Sequence, residues 1–163
     1  MPFRSSIGMW RNEPQDHGRS HRGANVIGIL IAGHQDLGPA LRRAAEGIVG
    51  PMEQVETITL EYAEAPAEAR KRMEQTLKRL DAGSGVLILT DMFGGTPTNM
   101  SLPFLEPGRV EVLTGVNLPM VLKAQSARQE MPLGELAVFL RDYGARNITL
   151  ASELWNARPG PRS

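Results

Sequence analysis

The sequence contains no cysteine among its 163 residues, which excludes disulfide bonds, thiol nucleophiles and cysteine-ligated metal sites. Aromatic residues make up only 5% of the chain, too few for the stacking platforms that bind single-stranded nucleic acid. The 18 basic and 18 acidic side chains cancel, so no net charge favours nucleic acid or an anionic membrane surface. We therefore expect neither nucleic acid nor a membrane surface among the partners of this chain.

Long apolar runs are also missing. The longest one, residues 26–32, falls far below the ~20 residues that a membrane-spanning helix needs. The first ten residues, MPFRSSIGMW, lack the apolar centre of a secretory signal. These absences predict a cytoplasmic protein that does not insert into a membrane.

The length suits one domain with a core of its own. Residues 1–24 are polar and interrupted by proline and glycine, which predicts a flexible N-terminal extension. His17 and His21 lie four apart there, but no third ligand is in register, so we favour a solvated tail over a metal site. The folded domain is expected over residues 25–152, and residues 153–163 are expected to form a loose tail.

Strands and helices alternate along the folded part. Apolar, β-rich runs predict strands at residues 25–33, 54–61, 86–89, 109–113 and 147–150. Apolar residues at helical spacing, bounded by proline and glycine, predict helices at residues 37–49, 66–82, 96–105, from 118, and from 133 until Gly144. This alternation is typical of an α/β fold, here a three-layer α/β/α sandwich with a mostly parallel central sheet.

Two of these helices have a well-defined apolar face. In the first helix, the face expected to be buried consists of Leu37, Leu41, Ala45 and Ile48. In the second helix it consists of Ala69, Met73, Leu77 and Leu80. Each face predicts the side on which its helix packs against the sheet.

Residues 85–98, GVLILTDMFGGTPT, hold the most informative pattern. A wholly apolar run predicts a strand buried on both faces, and it ends abruptly at Asp91. The pair Gly94–Gly95 allows a sharp turn and a close approach to a ligand. Thr96 is expected as a helix N-cap, with Pro97 at the first helical position. Open parallel sheets bind ligands beyond such strand ends, although the same residues also suit a tight connection in which Asp91 is only a turn residue.

His34 follows the first predicted strand just as Asp91 follows the third. If these two strands are neighbours, both side chains lie beyond the same edge of the sheet. A neutral imidazole is a good nucleophile, since its usual pKa is about 6.5. A carboxylate bonded to one ring nitrogen fixes the tautomer and leaves the other nitrogen for attack. We predict His34 and Asp91 as a catalytic pair; the alternative is a hydrogen-bonded loop histidine without chemistry.

If phosphorus is the electrophile, the product is a phosphohistidine whose P–N bond is labile enough for onward transfer. The backbone N–H groups of Gly94 and Gly95 and the Thr96 hydroxyl would then hold the phosphoryl oxygens. The sequence has neither a GxxxxGK[ST] loop nor a GxGxxG turn, so we expect no nucleotide site, no cofactor and no metal. The phosphoryl group must then come from another protein or from a small donor.

Three segments carry a resemblance to a known family: VIGILIAGHQDLGPALRRAAE from residue 26, LTDMFGGTPTN at 89–99, and LTGVNLPMVL at 113–122. Together they resemble the enzyme IIA domain of the mannose class in the bacterial sugar phosphotransferase system (PTS EIIA type-4). The resemblance covers residues 25–152 and implies a phosphotransferase component. In that family a histidine accepts phosphate from the histidine-containing phosphocarrier protein and passes it to a IIB subunit.

The resemblance also implies roles for single residues. By position, His34 would be the phosphorylated residue, Asp91 its carboxylate partner and Thr96 a phosphate-contacting hydroxyl. Members form homodimers that exchange a C-terminal strand, which would be residues 147–150 here. Gly33 and Gln35 depart from the family, which usually has Ser or Thr before the histidine and a small residue after it. These departures bear on transfer rate and partner identity more than on the fold.

Other functions remain open at this point. The sequence carries no IIB domain, which suits either a transporter with separate subunits or a regulatory module whose phosphorylation state controls a partner. A related subunit feeds dihydroxyacetone kinase and uses a similar domain, though no carrier domain is appended here. A hydrolase with His34 as base and Asp91 as orienter lacks a nucleophile.

Overall fold

The computed structural model describes residues 26–60 and 64–156. The predicted flexible extension at residues 1–24 and most of the predicted loose tail, residues 157–163, lie outside the described residues. Within the described part, four parallel strands form one sheet in the order β2-β1-β3-β4. Their bounds are β1 Gly28–Gly33, β2 Val55–Thr59, β3 Val86–Thr90 and β4 Val110–Thr114.

Helices connect the strands and cover both faces of the sheet. Their bounds are α1 Leu37–Val49, α2 Pro66–Leu80, α3 Thr96–Ser101, α4 Leu118–Ala127, α5 Leu133–Arg146 and α6 Ala151–Asn156. A 3-10 turn at Leu102–Phe104 extends α3. The predicted α/β/α sandwich with a parallel sheet is confirmed.

Two apolar clusters, one on each face of the sheet, form the core. On one face, alternate residues of β1 and β3 pack against buried residues of α1, α4 and α5, including Ala45, Val121 and Leu136. On the other face, the remaining strand residues pack against α2, whose predicted stripe of Ala69, Met73, Leu77 and Leu80 is buried as expected. Every residue of β1 and β3 is buried because both strands lie in the middle of the sheet.

Close approach of α2 to the sheet explains one glycine of β1. A Cβ atom at Gly28 would lie 2.6 Å from the carbonyl oxygen and 2.8 Å from the Cβ atom of Leu80. Because both neighbours are fixed near the end of a helix, no side chain fits at this position. Gly28 therefore lets α2 pack directly on the central strand.

Several predicted boundaries are wrong in detail. Leu37 and Ile48 were expected on the buried face of α1 but are 41% and 64% exposed, because they lie at the two ends of the helix. Gly144 does not end α5; it lies buried inside the helix, where a Cβ atom would be 2.6 Å from the Met120 Cε atom. The third helix ends at Ser101 rather than at residue 105, and the chain continues as the 3-10 turn.

Residues 147–150, predicted as a strand, form no strand in the single chain. Asn147 caps the C-terminal end of α5, and residues 148–150 lead directly into α6. Ile148 is 79% exposed and Leu150 is 61% exposed, and neither side chain belongs to the two core clusters of the described residues. Exchange of this segment between two chains stays a prediction.

Candidate functional site at the carboxyl edge of the sheet

The first and third strands are neighbours, which the sequence order alone did not establish. β1 pairs with β3 in parallel register, with Ala32 opposite Thr90. His34 and Asp91 follow these two positions, so the chain brings both side chains to the same edge of the sheet. The predicted meeting of His34 and Asp91 is therefore seen in the structure.

The carboxylate of Asp91 holds His34 at two points. Its Oδ2 atom lies 2.7 Å from the imidazole Nδ1 atom and accepts the backbone N–H of His34 at 2.8 Å. The other oxygen, Oδ1, accepts the backbone N–H of Met92 at 2.9 Å. The carboxylate thus fixes both the loop and the ring, and the Nδ1 contact favours the tautomer that has its proton on Nδ1.

These hydrogen bonds decide the charge of Asp91. Burial alone would raise the pKa of its carboxyl group, since the side chain is only 10% exposed. The backbone N–H and the ring of His34, together with the N–H of Met92, outweigh burial and hold the pKa of Asp91 below its usual value. Asp91 is therefore an anion at neutral pH and stabilises positive charge on the adjacent imidazole.

The Gly94–Gly95 turn lies against the other side of the ring. A Cβ atom at Gly95 would lie 2.8 Å from the His34 Cε1 atom and 3.5 Å from Nε2. The backbone therefore approaches the Cε1–Nε2 edge of the imidazole more closely than any other residue type allows. Gly94 has a φ of +81°, in the left-handed region that favours glycine, and this produces the sharp turn.

The start of α3 differs from the prediction by one residue. Gly95, not Thr96, is the N-cap; Thr96 is the first helical residue, so Pro97 occupies the second position. Gly95 has the extended backbone that an N-cap requires, with φ −77° and ψ 166°. Thr96 is half-buried and follows directly on the glycine that faces the ring.

Two threonines, Thr90 and Thr98, hold the turn that follows Asp91. The sequence analysis did not identify them as part of the site. The Thr98 hydroxyl donates to the Met92 carbonyl at 2.6 Å, and the Thr90 and Thr98 hydroxyl oxygens lie 2.8 Å apart. Because Thr98 uses its proton on Met92, Thr90 is the donor within the threonine pair. Both side chains are fully buried. The signal available in the sequence was one threonine at the end of the strand and a second one two residues after Thr96.

Exposed apolar side chains lie in or next to the two loops that carry His34 and Asp91. Phe93 is 76% exposed and Met92 is 56% exposed, and both belong to the turn that follows Asp91. Leu37 lies at the start of α1, just after the histidine loop, and is 41% exposed. Exposed aromatic and methionine side chains of this kind are typical of protein-binding surfaces.

Residues 26–60 and 64–156 contain no group of three or more His, Asp or Glu side chains arranged to hold a metal ion. No helix in the same ranges is long and apolar enough to cross a membrane. One surface cavity of about 580 Å³ lies beside Arg42, Met52 and Arg79, away from the histidine.

Comparison with known proteins gives consistent matches. The family model described as "EIIA-man: PTS system fructose IIA component" matches residues 28–140. The fructose-specific EIIA component of Bacillus subtilis is 30% identical over 129 residues, which cover 78% of this chain and 88% of the relative. The mannose-specific EIIAB component of Escherichia coli is 30% identical over 140 residues, which cover 83% of this chain but only 43% of that longer relative.

Solved structures agree with the fold. A PTS IIA protein from Streptococcus pneumoniae, associated with the fucose utilization operon, is 26% identical with a TM-score of 0.70, covering 82% of this chain and 99% of that one. The phosphotransferase system component EIIA from Streptococcus agalactiae is 24% identical with a TM-score of 0.71, covering 78% of this chain and 98% of that one. The second likeness supports the fold alone.

Proposed function

This chain belongs to the mannose-class enzyme IIA family of the bacterial sugar phosphotransferase system, and from that membership we propose that it is a phosphoryl carrier whose acceptor is His34. The donor in this proposal is the histidine-containing phosphocarrier protein, and the acceptor is a IIB subunit. Both proteins, like phosphoenolpyruvate, belong to the cytoplasm, where we expect this chain to act. The observation that carries the proposal is the 2.7 Å contact between His34 Nδ1 and Asp91 Oδ2.

The geometry favours Nε2 of His34 as the nucleophile. Asp91 engages Nδ1, so the lone pair that attacks phosphorus belongs to Nε2. In the transfer, a P–N bond forms at Nε2 while the P–N bond to the donor histidine breaks, and the electron pair of that bond returns to the donor ring. The His34 ring gains positive charge as the new bond forms, and the adjacent carboxylate of Asp91 stabilises that charge.

The phosphoryl oxygens need hydrogen-bond donors. We assign this role to the backbone N–H groups of Gly94 and Gly95 and to the Thr96 hydroxyl. Support comes from the position of Gly95 against the Cε1–Nε2 edge of the ring, which brings the turn to the side where phosphorus would bind. The buried hydroxyls of Thr90 and Thr98 hold this turn in place, so its donors are preorganised.

Partner proteins must reach the same edge of the sheet. Phe93, Met92 and Leu37 are exposed beside His34, and we propose that they form the apolar part of the surface on which both phosphoryl partners dock in turn. The chain is also proposed to act as a homodimer. The exposed side chains of Ile148 and Leu150 support exchange of residues 147–150 with a second copy, which would bury them.

Phosphorylation can be tested directly. The protein is incubated with enzyme I, the histidine-containing phosphocarrier protein and phosphoenolpyruvate, and acid-labile phosphate is measured with the site identified by mass spectrometry. We expect stoichiometric label on His34 in the wild type and none in His34→Ala. The matched control is His34→Gln, which keeps a polar side chain of similar size and is also expected to remain unlabelled. Equal labelling of His34→Ala and wild type would rule out the proposal.

A second function, regulation of a partner by the phosphorylation state, is favoured by Gln35. Its side chain is exposed directly beside the histidine, where the family usually has a small residue. The two functions differ in the fate of the phosphate. Rapid loss of label to a IIB protein supports the carrier function, whereas retained label with altered binding to another protein supports the regulatory one.

A further inference from the structure

We infer that Thr59, at the end of the edge strand β2, is a positioning residue whose hydroxyl fixes the loop that carries His34. The inference rests on the proposed function, since the reaction that benefits is phosphoryl acceptance by that histidine. It concerns a residue outside the His34–Asp91 pair and outside the glycine turn. Three observations on the described residues carry it.

The first observation is the backbone of Gln35. This residue follows the histidine directly and has a φ of +50°, in the left-handed region that residues other than glycine and asparagine rarely adopt. Such a conformation persists only where surrounding contacts hold it. The position of the imidazole depends on this residue, because the left-handed turn sets the direction in which the chain leaves His34.

The second observation is the contact that holds Gln35. The Thr59 hydroxyl donates a hydrogen bond to the Gln35 carbonyl oxygen at 2.7 Å. The backbone N–H of the next residue, Leu60, donates to the Gly33 carbonyl at 3.4 Å. The end of β2 therefore forms hydrogen bonds with the residues before and after the histidine.

These contacts complement those of Asp91. In the sheet order β2-β1-β3, the histidine loop follows the central strand of the three, so it has a neighbour on each side. Asp91, after β3, bonds the N–H and the ring of His34. Thr59, on β2, bonds the carbonyl of the next residue. The loop that carries the imidazole is thus held from both flanking strands rather than from one.

The third observation is that Thr59 is itself anchored. Its carbonyl oxygen accepts a hydrogen bond from Arg72 Nη2 at 2.7 Å, and Arg72 Nη1 lies 3.1 Å from Glu64 Oε1. Arg72 belongs to α2, so the last residue of the edge strand is tied to a helix of the core. This anchoring gives the Thr59 hydroxyl a fixed place from which to hold the loop.

Three variants separate the hydroxyl from the rest of the side chain. Thr59→Val keeps the β-branched shape and the strand preference but loses the hydroxyl, whereas Thr59→Ser keeps the hydroxyl and loses the methyl group. Thr57→Val is the matched control, since it removes a hydroxyl two residues earlier on the same strand. We expect Thr59→Val to lower kcat/KM for phosphoryl acceptance about fivefold, in line with loss of one hydrogen bond, with little change in melting temperature. Thr59→Ser and Thr57→Val are expected to stay within twofold of the wild type.

A purely structural role for Thr59 predicts the reverse order. If only shape and strand preference matter, Thr59→Val accepts phosphate like the wild type and Thr59→Ser is the weaker variant. That result overturns the inference and leaves the proposed function intact. The imidazole ¹⁵N signals of His34 in the unphosphorylated protein provide a readout that does not depend on phosphate. We expect these signals to shift in Thr59→Val and to return to the wild-type position in Thr59→Ser.

Failure of the proposed function has a different signature. In that case the wild type itself accepts no phosphate from the phosphocarrier protein, and the ¹⁵N signals alone decide whether Thr59 positions the ring. Unchanged His34 signals in Thr59→Val would then overturn the inference. A shift that Thr59→Ser reverses supports it whatever the phosphoryl donor is.

Discussion

The two edges of the sheet use polar side chains in opposite ways. At the amino edge, Arg128 is only 3% exposed and donates to the carbonyl oxygens of Ile27, Glu53 and Gln54, just before β1 and β2. At the carboxyl edge, Asp91 and Thr59 hold a histidine that stays 26% exposed. Buried polar groups at one edge close the fold, whereas those at the other hold, at the surface, the histidine that we propose as the phosphoryl acceptor.

Polar side chains at the amino edge of the sheet therefore serve mainly stability, whereas those at the carboxyl edge serve the proposed chemistry. The amino edge also has Asp81, which accepts the backbone N–H groups of Gly83 and Gly85 in the turn before β3. At the carboxyl edge, by contrast, the large apolar side chains of Phe93 and Met92 are exposed. Substitutions at the two edges should therefore affect different measurements.

The largest expected effect is at the carboxyl edge. Asp91→Asn keeps the shape of the side chain but loses the charge that fixes the tautomer of His34 and stabilises the phosphorylated ring. We expect the rate of phosphoryl acceptance to fall about 100-fold, within the range of positioned acid–base groups. Asp36→Asn is the matched control, because it removes an exposed carboxylate two residues from His34 and should leave the rate within twofold. A quenched time course of phosphoryl labelling measures the rates of both variants. Equal rates for Asp91→Asn and wild type would contradict the role of the carboxylate.

The difference in unfolding free energy between wild type and Asp91→Asn should also depend on pH. The pKa of Asp91 is lowered in the folded protein, so its ionised form stabilises the fold above the unfolded-state pKa of about 3.9. This contribution is lost as the pH falls through the folded-state pKa. Urea unfolding should show a gap of about 1 kcal/mol between wild type and Asp91→Asn at pH 5 that narrows as the pH falls below ~4. A gap that widens as the pH falls below 5 would contradict this sign.

The amino edge should show the opposite behaviour. Arg128→Leu removes the arginine hydrogen bonds to the carbonyls of Ile27, Glu53 and Gln54, of which Gln54 still accepts the N–H of Ile29. We expect the free energy of unfolding to fall by about 2 kcal/mol. Phosphoryl acceptance per folded molecule should not change. Arg141→Leu is the control, because this exposed arginine pairs with Asp142 next to it, and its loss should cost less than about 0.5 kcal/mol. If Arg128→Leu slows phosphorylation of fully folded protein, the two edges are not independent.

A smaller effect is expected at the glycine turn. The methyl group of Gly95→Ala would lie 2.8 Å from the His34 Cε1 atom and must displace the ring or the turn. We expect about a tenfold slower phosphoryl acceptance with a small change in stability. Gly47→Ala is the control, since nothing lies within 4 Å of that position and alanine favours a helix. The unfolding free energy of Gly47→Ala should rise slightly while its labelling stays unchanged. A wild-type rate for Gly95→Ala would show that the turn can move away from the ring without loss of function, which would contradict the prediction.

The sequence predicted the parts of this structure that depend on local pattern. Fully apolar runs identified β1 and β3 as buried strands. The residues that follow these strands, His34 and Asp91, were predicted as the site for that reason. The stripe on α2 was also readable, because its four apolar residues repeat at helical spacing. The sequence could not show that β1 and β3 are neighbours, since strand order depends on how the helical connections cross the sheet.

Contacts between distant residues account for what the sequence did not reveal. Thr59 bonds a carbonyl 24 residues away, and Arg128 bonds one 101 residues away, so no local motif identifies either residue. The N-cap of α3 was assigned to Thr96 because threonine is a good cap, yet the tight approach to His34 places Gly95 there instead. Residues 147–150 have a strand-like composition but pair with no strand in residues 26–60 and 64–156.

The position of phosphate on the histidine ring tests the roles of His34 and Asp91 most directly. Two-dimensional ¹H–¹⁵N spectra of the phosphorylated, ¹⁵N-labelled protein identify which ring nitrogen bears phosphorus. We expect phosphate on Nε2 of His34, with the proton of Nδ1 retained in its hydrogen bond to Asp91. Phosphate on Nδ1, or on a residue other than His34, would contradict the mechanism.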